Sequence, residues 1–233
     1  MKTYTKGFTR LELLFVLLAI AIVAFPAVSL LASNKPGSQR AVCFNNLRQI
    51  GRGFLMWASD HGDRFPFATE WQAGGALGHP LAGNTWFQFN LISAYLDSPR
   101  FLVCPADLET SKVADSWGAQ PNGFLNAEYR NNALSYFIAL HGQPYSGRSI
   151  LSGDRNIQAS GLSSCSLLPG GELCQQLTPG DSTVQWTNAI HGAVGHLLFA
   201  DGSIHFVNSS NLQKAVRNDE DDDNGSGVHL LSK

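Results

Sequence analysis

The first hydrophobic pattern along the chain is an uncharged run of 20 residues, 13–32, in which nearly every side chain is apolar. A helix of about 20 apolar residues matches the hydrocarbon core of a bilayer. Three basic residues, Lys2, Lys6 and Arg10, precede the run. A cleaved secretory signal also begins with positive charge, but its apolar region is only about 7–15 residues long. We therefore expect a retained membrane helix, with a cleaved signal as the alternative.

The second pattern predicts an amphipathic helix from about Ser38 to about Ser59. Its apolar residues recur at spacings of 4, 3, 4 and 3, which places them on one face of a helix. These residues are Cys43, Leu47, Ile50, Phe54 and Trp57. Residues 34–38, which include Pro36 and Gly37, predict a hinge before this stem helix. We expect the apolar face to pack against a globular head.

The third pattern predicts a β-hairpin near the C-terminus. Two apolar runs, 196–200 and 203–207, flank Asp201-Gly202, which is a typical two-residue hairpin turn. The cross-strand pairs expected from such a turn are Phe199 with Ile204 and Leu197 with Phe206. These four side chains would form an apolar face toward the stem helix. Residues 64–185 carry only short apolar runs, which periodicity alone cannot assign to strand or helix.

Composition and charge narrow the classes of function. The chain is 44% hydrophobic, which excludes a mostly disordered protein. Its formal net charge is −2, whereas a nucleic-acid-binding domain needs a strongly basic patch, so we expect no nucleic-acid partner. Five of its 18 acidic residues form one run, 219–223, which predicts a solvated acidic tail over 219–233.

The N-terminal segment Gly7-Phe8-Thr9-Arg10-Leu11-Glu12, followed by the apolar run, resembles the motif of type IV prepilins and type II secretion pseudopilins. The resemblance implies that prepilin peptidase cuts between Gly7 and Phe8, and that Phe8 is then N-methylated. It also implies that Glu12 pairs with the terminal amine of a neighbouring subunit during assembly. Such a pair would remove two unpaired buried charges at once.

A second resemblance involves His191, which is followed by nine residues and then by Asp201-Gly202. This spacing is similar to the H-x9-DG domain that accompanies prepilin-type N-termini, and the blocks at 43–51 and 104–107 are similar to segments of the same group. The resemblance implies a pilin-like α+β fold, in which a long N-terminal helix (membrane half plus amphipathic stem) packs on a small antiparallel-sheet head. The implied domains are a prepilin leader (1–7), a transmembrane and assembly helix (8–33), a hinge and stem helix (34–61), a globular head with the H-x9-DG hairpin (62–218) and the acidic tail (219–233).

The four cysteines suggest disulfides rather than a metal or redox motif. No CxxC pair occurs, so a zinc ribbon or a thioredoxin-like site is not expected. An even number of cysteines in an exported head suggests disulfides, and four cysteines can pair in three ways. We favour Cys43–Cys104, which would tie the stem helix to the head, and Cys165–Cys174 across a Pro-Gly-Gly turn. Four free, buried thiols are the alternative.

Two groups of residues have metal-binding chemistry, but neither predicts a site. His196 and His205 share a face of the predicted hairpin without a third ligand at suitable spacing, and a structural role is favoured for His191. Calcium prefers hard oxygen ligands, and the acidic tail lacks the closing acid of an EF-hand loop. The calcium candidates are Asp181, Asp201 and Asp222. We therefore expect no cofactor, with Ca²⁺ at these residues as the alternative.

No catalytic motif is evident, so we expect no enzymatic activity. The GxSxG, HExxH and phosphate-binding glycine motifs are absent, and Gly180-Asp181-Ser182 lacks the glycines that shape an oxyanion hole. The function implied by the resemblance is a structural subunit of a pseudopilus or type IV pilus-like filament, associated with type II secretion-like export. The alternative is a membrane-anchored, exported binding module that uses the prepilin motif only for targeting.

The resemblance also implies a location and a set of partners. The location is the bacterial inner membrane, crossed once with the N-terminus in the cytoplasm and the head in the periplasm, and then an extracytoplasmic filament. The partners are prepilin peptidase, other pseudopilin subunits and an inner-membrane assembly platform.

Overall fold

The fold is given by a computed structural model that describes residues 10–20, 35–110, 112–165, 167–169, 173–219 and 227–232. The chain forms two compact units, Met1–Ser38 and Gln39–Lys233. In these residues the helices are α1 (10–20), α2 (Lys35–Asp60), α3 (Thr85–Leu91) and α4 (Ser209–Asn218). Short 3-10 turns occur at Pro66–Ala68, Trp71–Ala73, Ser93–Tyr95, Pro99–Leu102 and Arg130–Ala133.

Most strands of the second unit form one antiparallel sheet. The strands are β1 (Tyr136–Ala139), β2 (Ile150–Asp154), β3 (Ile157–Gln158), β4 (Gly161–Ser164), β5 (Leu173–Leu177), β6 (Gln185–Trp186), β7 (Val194–Phe199), β8 (Ile204–Asn208) and β9 (Val228–Leu231). Seven of them pair in the order β4-β5-β9-β1-β2-β7-β8, while β3 pairs only with β6. The C-terminal strand β9 therefore lies in the middle of the sheet, between β5 and β1.

Helix α2 packs onto the sheet through the apolar face that its sequence pattern predicts. The predicted residues are buried: Cys43, Leu47, Ile50 and Phe54 are 0% exposed and Trp57 is 2% exposed. Close packing depends on Gly51, because a Cβ at that position would lie 2.8 Å from Cδ1 of Leu198 in β7. The helix begins at Lys35, so Pro36 lies in its first turn rather than in a hinge. A proline is tolerated there because the first-turn N–H groups have no partner within the helix.

The sheet buries apolar side chains on both faces. Successive residues of a strand point to opposite faces, and in β1 Ile138 packs in the cluster that contains the α2 residues. Its neighbour Phe137 packs instead with Leu212 and Val216 of α4. Helix α2 therefore covers one face of the sheet and α4 covers the other.

The predicted hairpin forms, but its register differs by one residue from the predicted register. Leu198 pairs with Ile204 and His196 pairs with Phe206. The loop has three residues rather than two, because Phe199 N donates to Ser203 O and Gly202 adopts the left-handed φ of 87°. A one-residue shift exchanges the faces of one strand relative to the other. The predicted apolar face of Leu197, Phe199, Ile204 and Phe206 is therefore wrong.

The predicted α+β fold, with a long N-terminal helix on a small sheet head, is also wrong. The protein is a mixed α/β structure with four helices in its described part and a seven-stranded antiparallel sheet. The sheet is larger than predicted because four strands of the middle segment, β1, β2, β4 and β5, join β7 and β8 in one sheet. Burial on both faces makes the sequences of β1 and β2 too uniform to be assigned from alternation alone.

The predicted membrane span is a further correction. Across the described ranges, none of the helices combines the length and the apolar character needed to cross a bilayer. The described part of α1 has 11 residues, about half the required length, and α2 has 26 residues but is amphipathic. The predicted transmembrane helix, and with it the single-pass inner-membrane location, is therefore not supported and is wrong for these residues. Residues 8–9 and 21–33 of the predicted span lie outside the described residues.

Candidate functional site

The described part of the predicted assembly region is helix α1, and its surface is apolar on all sides beyond the first turn, which carries Arg10 and Glu12. Gly7 and Phe8, the predicted processing residues, lie outside the described residues, and Glu12 lies in α1. The large apolar side chains of α1 are between 44% and 66% exposed. They form what we call the N-terminal apolar surface: Leu11, Leu13, Leu14, Phe15, Val16, Leu17, Leu18 and Ile20. A helix that is apolar all round is normally buried in a larger assembly or in an apolar phase.

In the second unit, a disulfide joins α2 to the segment that follows the fourth 3-10 turn. Cys43 and Cys104 are bonded and both are fully buried, which is the pairing favoured from the sequence. Two hydrogen bonds support the same junction: Asn46 Nδ2 donates to Val103 O at 2.8 Å, and Gln39 Nε2 donates to Pro105 O at 3.1 Å. The segment 103–105 is thus held to α2 at three successive positions.

The same segment is also tied to the sheet through Asp107. Its carboxylate, whose side chain is 0% exposed, accepts two hydrogen bonds from Arg155, at 2.8 and 2.7 Å. It also accepts from the backbone N–H groups of Glu109 and Thr110. Burial alone would raise the pKa of Asp107, but the hydrogen bonds from Arg155, Thr110 and Ser135 outweigh burial and the pKa is lowered. Asp107 is therefore charged, and its carboxylate has a structural role because it binds Arg155.

His191 of the H-x9-DG motif lies in a buried cluster beside the disulfide. Its Nε2 is 3.4 Å from Sγ of Cys104 and 3.8 Å from Oδ2 of Asp154. The same Oδ2 atom accepts the backbone N–H of His196 at 2.7 Å and lies 2.9 Å from its Nδ1. Burial lowers the pKa of His191, although the carboxylate of Asp154 opposes this shift. The neutral imidazole packs between the disulfide and the carboxylate, which fits a structural role.

The other residues of the motif lie elsewhere. Asp201 occupies the hairpin loop, where its Oδ1 accepts the backbone N–H of Ser203 at 2.8 Å, and Gly202 supplies the left-handed turn residue. His196, the neighbour of His191 in the buried cluster, lies within β7, whereas Asp201 lies in the loop beyond the end of that strand at Phe199. The spacing of the motif therefore reflects two separate structural requirements, a buried imidazole and a hairpin loop.

The calcium candidates do not form a common site within the described residues. Asp181 accepts hydrogen bonds from the backbone N–H and the hydroxyl of Thr183, and these bonds lower the pKa of Asp181. The carboxylate of Asp201 accepts a hydrogen bond within its own turn, and Asp222 lies outside the described residues. The groups of three or more potential ligand side chains in the described ranges include neither Asp181 nor Asp201.

The predicted second disulfide is not formed in the structure, where Cys165 and Cys174 are free and buried. The thiol of Cys174, followed by His141 and His229, lowers the pKa of Cys165. Conversely, the thiol of Cys165 and burial raise the pKa of Cys174. The pair is therefore suited to hold one thiolate, on Cys165, beside two imidazoles.

Sequence reasoning did not identify His141, His229 or Asp154 as site residues. His141 and His229 are 88 positions apart, and no local spacing connects them with Cys165. They come together only through the pairing of strands that are distant in the chain. Asp107 had a local signal, because it ends the Cys-Pro-Ala-Asp block at 104–107.

Comparison with known proteins provides no further identification of these clusters. The prepilin-type motif and the H-x9-DG spacing remain resemblances carried by the residues of this sequence alone. No family model, curated protein or solved structure matches the chain.

Proposed function

We propose that the chain is a structural subunit of a pseudopilus or type IV pilus-like filament that assembles through its N-terminal helix. The observation that carries the proposal is the N-terminal apolar surface. Eight large apolar side chains surround α1, and each is about half exposed. A contiguous apolar surface of this kind marks an interaction site, and helices of other copies are partners of the same apolar character.

Burial of the N-terminal apolar surface would supply the driving force for assembly. Burying one such side chain completely contributes about 1.5–3 kcal/mol, so the half that remains exposed is worth roughly 1 kcal/mol. Eight side chains therefore offer on the order of 10 kcal/mol for each subunit. This gain is large enough to offset the loss of translational and rotational freedom on association.

Glu12 gives the assembly its register. A carboxylate among apolar helices is costly unless it is paired, and removal of one partner of a buried ion pair leaves the other uncompensated. Cleavage between Gly7 and Phe8 by prepilin peptidase would create an amine four residues before Glu12. Pairing of Glu12 with the amine of a neighbouring subunit would align successive helices along the filament.

The second unit is suited to be carried by such a helix. Its disulfide, the Asn46 bond and the Asp107–Arg155 ion pair connect α2, the segment 103–107 and the residue that follows β2. Prepilin peptidase, other subunits and an assembly platform are the proposed partners of the chain.

The test compares Glu12→Ala with Glu12→Gln and the unmodified chain in cells that assemble such filaments. The mature N-terminus is determined by mass spectrometry, and the filament fraction is measured after shearing. We expect normal cleavage after Gly7 in all three proteins and loss of filaments in both variants. Filaments at the unmodified level in both variants would refute the pairing role, and an intact Met1 in the unmodified chain would refute prepilin processing.

A further inference from the structure

A second cluster of ligand side chains lies at one end of the sheet, in strands β4, β5, β9 and β1. His229 is in β9, Cys174 is in β5, Cys165 follows β4 directly and His141 follows β1. These four strands are neighbours in the order β4-β5-β9-β1. The cluster therefore draws one residue from each of four adjacent strands or strand ends.

The strand register brings three of these side chains to the same face. His229 is opposite Gln176, and Gln176 is two residues from Cys174, so His229 and Cys174 share a face. Cys174 is opposite Ser163, and Cys165 continues the same alternation two residues later. His141 has a left-handed φ of 74°, an unusual backbone conformation outside glycine, which ends the strand alternation.

The ligand atoms converge on a small volume. One atom each from His141, Cys165 and His229 lies within 4.8 Å of the other two, and His141 Nε2 is 3.3 Å from Cys165 Sγ. Zinc binds nitrogen at about 2.0 Å and sulfur at about 2.3 Å, so ligands of one tetrahedral ion are about 3.3–3.8 Å apart. The separations in the cluster therefore exceed those of a zinc site by at most about 1.5 Å.

His229 provides an independent indication of a ligand. The residue is 8% exposed, and neither of its ring nitrogens makes a hydrogen bond that meets ordinary geometry. A buried polar atom without a partner costs about 1–3 kcal/mol. A metal ion on one nitrogen would remove that cost. His141 also lines a cavity of about 250 Å³.

The chemical types of the ligand atoms indicate which metal this cluster would bind. Two imidazoles with two thiolates are the ligands typical of tetrahedral zinc. We propose that His141, Cys165 and His229, with Cys174 as the fourth ligand, form a zinc site that cross-links four strands of the sheet. The site would hold strands β4, β5, β9 and β1 together, as the disulfide holds α2 to the segment 103–105.

The cluster around Asp154 is a weaker candidate for the same chemistry. There the Asp154 carboxylate already accepts the backbone N–H of His196 and contacts its imidazole, while the neighbouring Cys104 is in a disulfide. Oδ1 of Asp154 is buried without a hydrogen-bond partner, but this cluster offers no free thiol as a ligand. The His229 imidazole, in contrast, lacks hydrogen bonds in a cluster with two free thiols.

The test measures metal binding to the full chain after chelation and thiol reduction. Zn²⁺ alone is titrated with a competing chromophore, and Co²⁺ alone is used as the spectroscopic probe. We expect one equivalent of Zn²⁺ and a sulfur-to-cobalt charge-transfer band. His229→Ala and Cys165→Ala should lower the affinity by at least about 100-fold, since even outer-shell partners contribute 10–100-fold. His205→Ala is the matched control, because His205 is exposed on β8, and its affinity should not change.

A measurement on the unmodified chain keeps the test independent of variant folding. Zn²⁺ should slow the alkylation of Cys165 and Cys174 by about tenfold or more. Absence of this protection, or an affinity that is unchanged in His229→Ala and Cys165→Ala, would overturn the proposal. A Cys165–Cys174 disulfide in the protein as isolated would overturn it as well.

Discussion

Reduction of the Cys43–Cys104 disulfide is expected to lower the free energy of unfolding by about 4 kcal/mol. The two cysteines are separated by 61 residues. Release of a cross-link over a loop of that length increases the entropy of the unfolded chain by about 14 cal/mol/K, which is about 4 kcal/mol at 25 °C. Reduction removes no side-chain atoms, so no cavity contribution is added.

The assay is urea denaturation of the oxidised and the reduced full chain in the same non-ionic detergent, followed by tryptophan fluorescence. Trp57 lies on the buried face of α2 and reports the separation of that helix from the sheet. With an m-value of about 2 kcal/mol/M, the midpoint should fall by about 2 M urea. Cys43→Ala/Cys104→Ala is the matched control, and reductant should leave its midpoint unchanged.

A small effect would refute this reasoning. If reduction changed the unfolding free energy by less than about 1 kcal/mol, the bridge would not restrict the unfolded chain as the loop length requires. If reductant lowered the unfolding free energy of the double variant by the same amount, the change would arise from a group other than this disulfide.

Three further perturbations have expected outcomes, each measured by urea denaturation. Gly153→Ala should cost about 2–3 kcal/mol, because its Cβ would lie 2.5 Å from the backbone oxygen of His196; a cost below 0.5 kcal/mol would contradict the strand packing. Asp107→Asn should cost about 3 kcal/mol, because the partly buried Arg155 would lose its charged partner, and an unchanged midpoint would show that the pair is not needed. Because the folded protein lowers the pKa of His191, its neutral form favours folding above the ordinary pKa of about 6.5. Stability should therefore decline as the pH falls below about 6.5 toward the lowered pKa, and His191→Gln should remove this part of the decline.

The stem helix was predictable because its pattern is local. The spacing of its five apolar residues identified the face that is buried in the structure, and the predicted end near Ser59 is one residue from the observed end at Asp60. The hairpin was predictable in position but not in register. Asp-Gly is compatible with both a two-residue and a three-residue loop, and the choice depends on backbone hydrogen bonds that Phe199 and Ser203 make in the folded sheet.

The size of the sheet and the ligand cluster were not predictable from local patterns. Strand β9 follows the acidic run and pairs between β5 and β1, which are themselves distant in the chain. Its His229 therefore meets Cys165 only after the sheet has formed. The cysteine count correctly drew attention to Cys165 and Cys174, but the two histidines, His141 before them and His229 after them, had no sequence signal.

The central proposal, assembly through the N-terminal apolar surface, is tested most directly by position-specific photo-crosslinking of the full chain in cells. One probe replaces Phe15, which is 66% exposed on α1, and the control probe replaces Leu108, which is 89% exposed in the second unit. We expect a ladder of cross-linked oligomers from position 15 and a clearly weaker ladder from position 108. Monomer alone from position 15, or equal ladders from both positions, would contradict assembly through this helix.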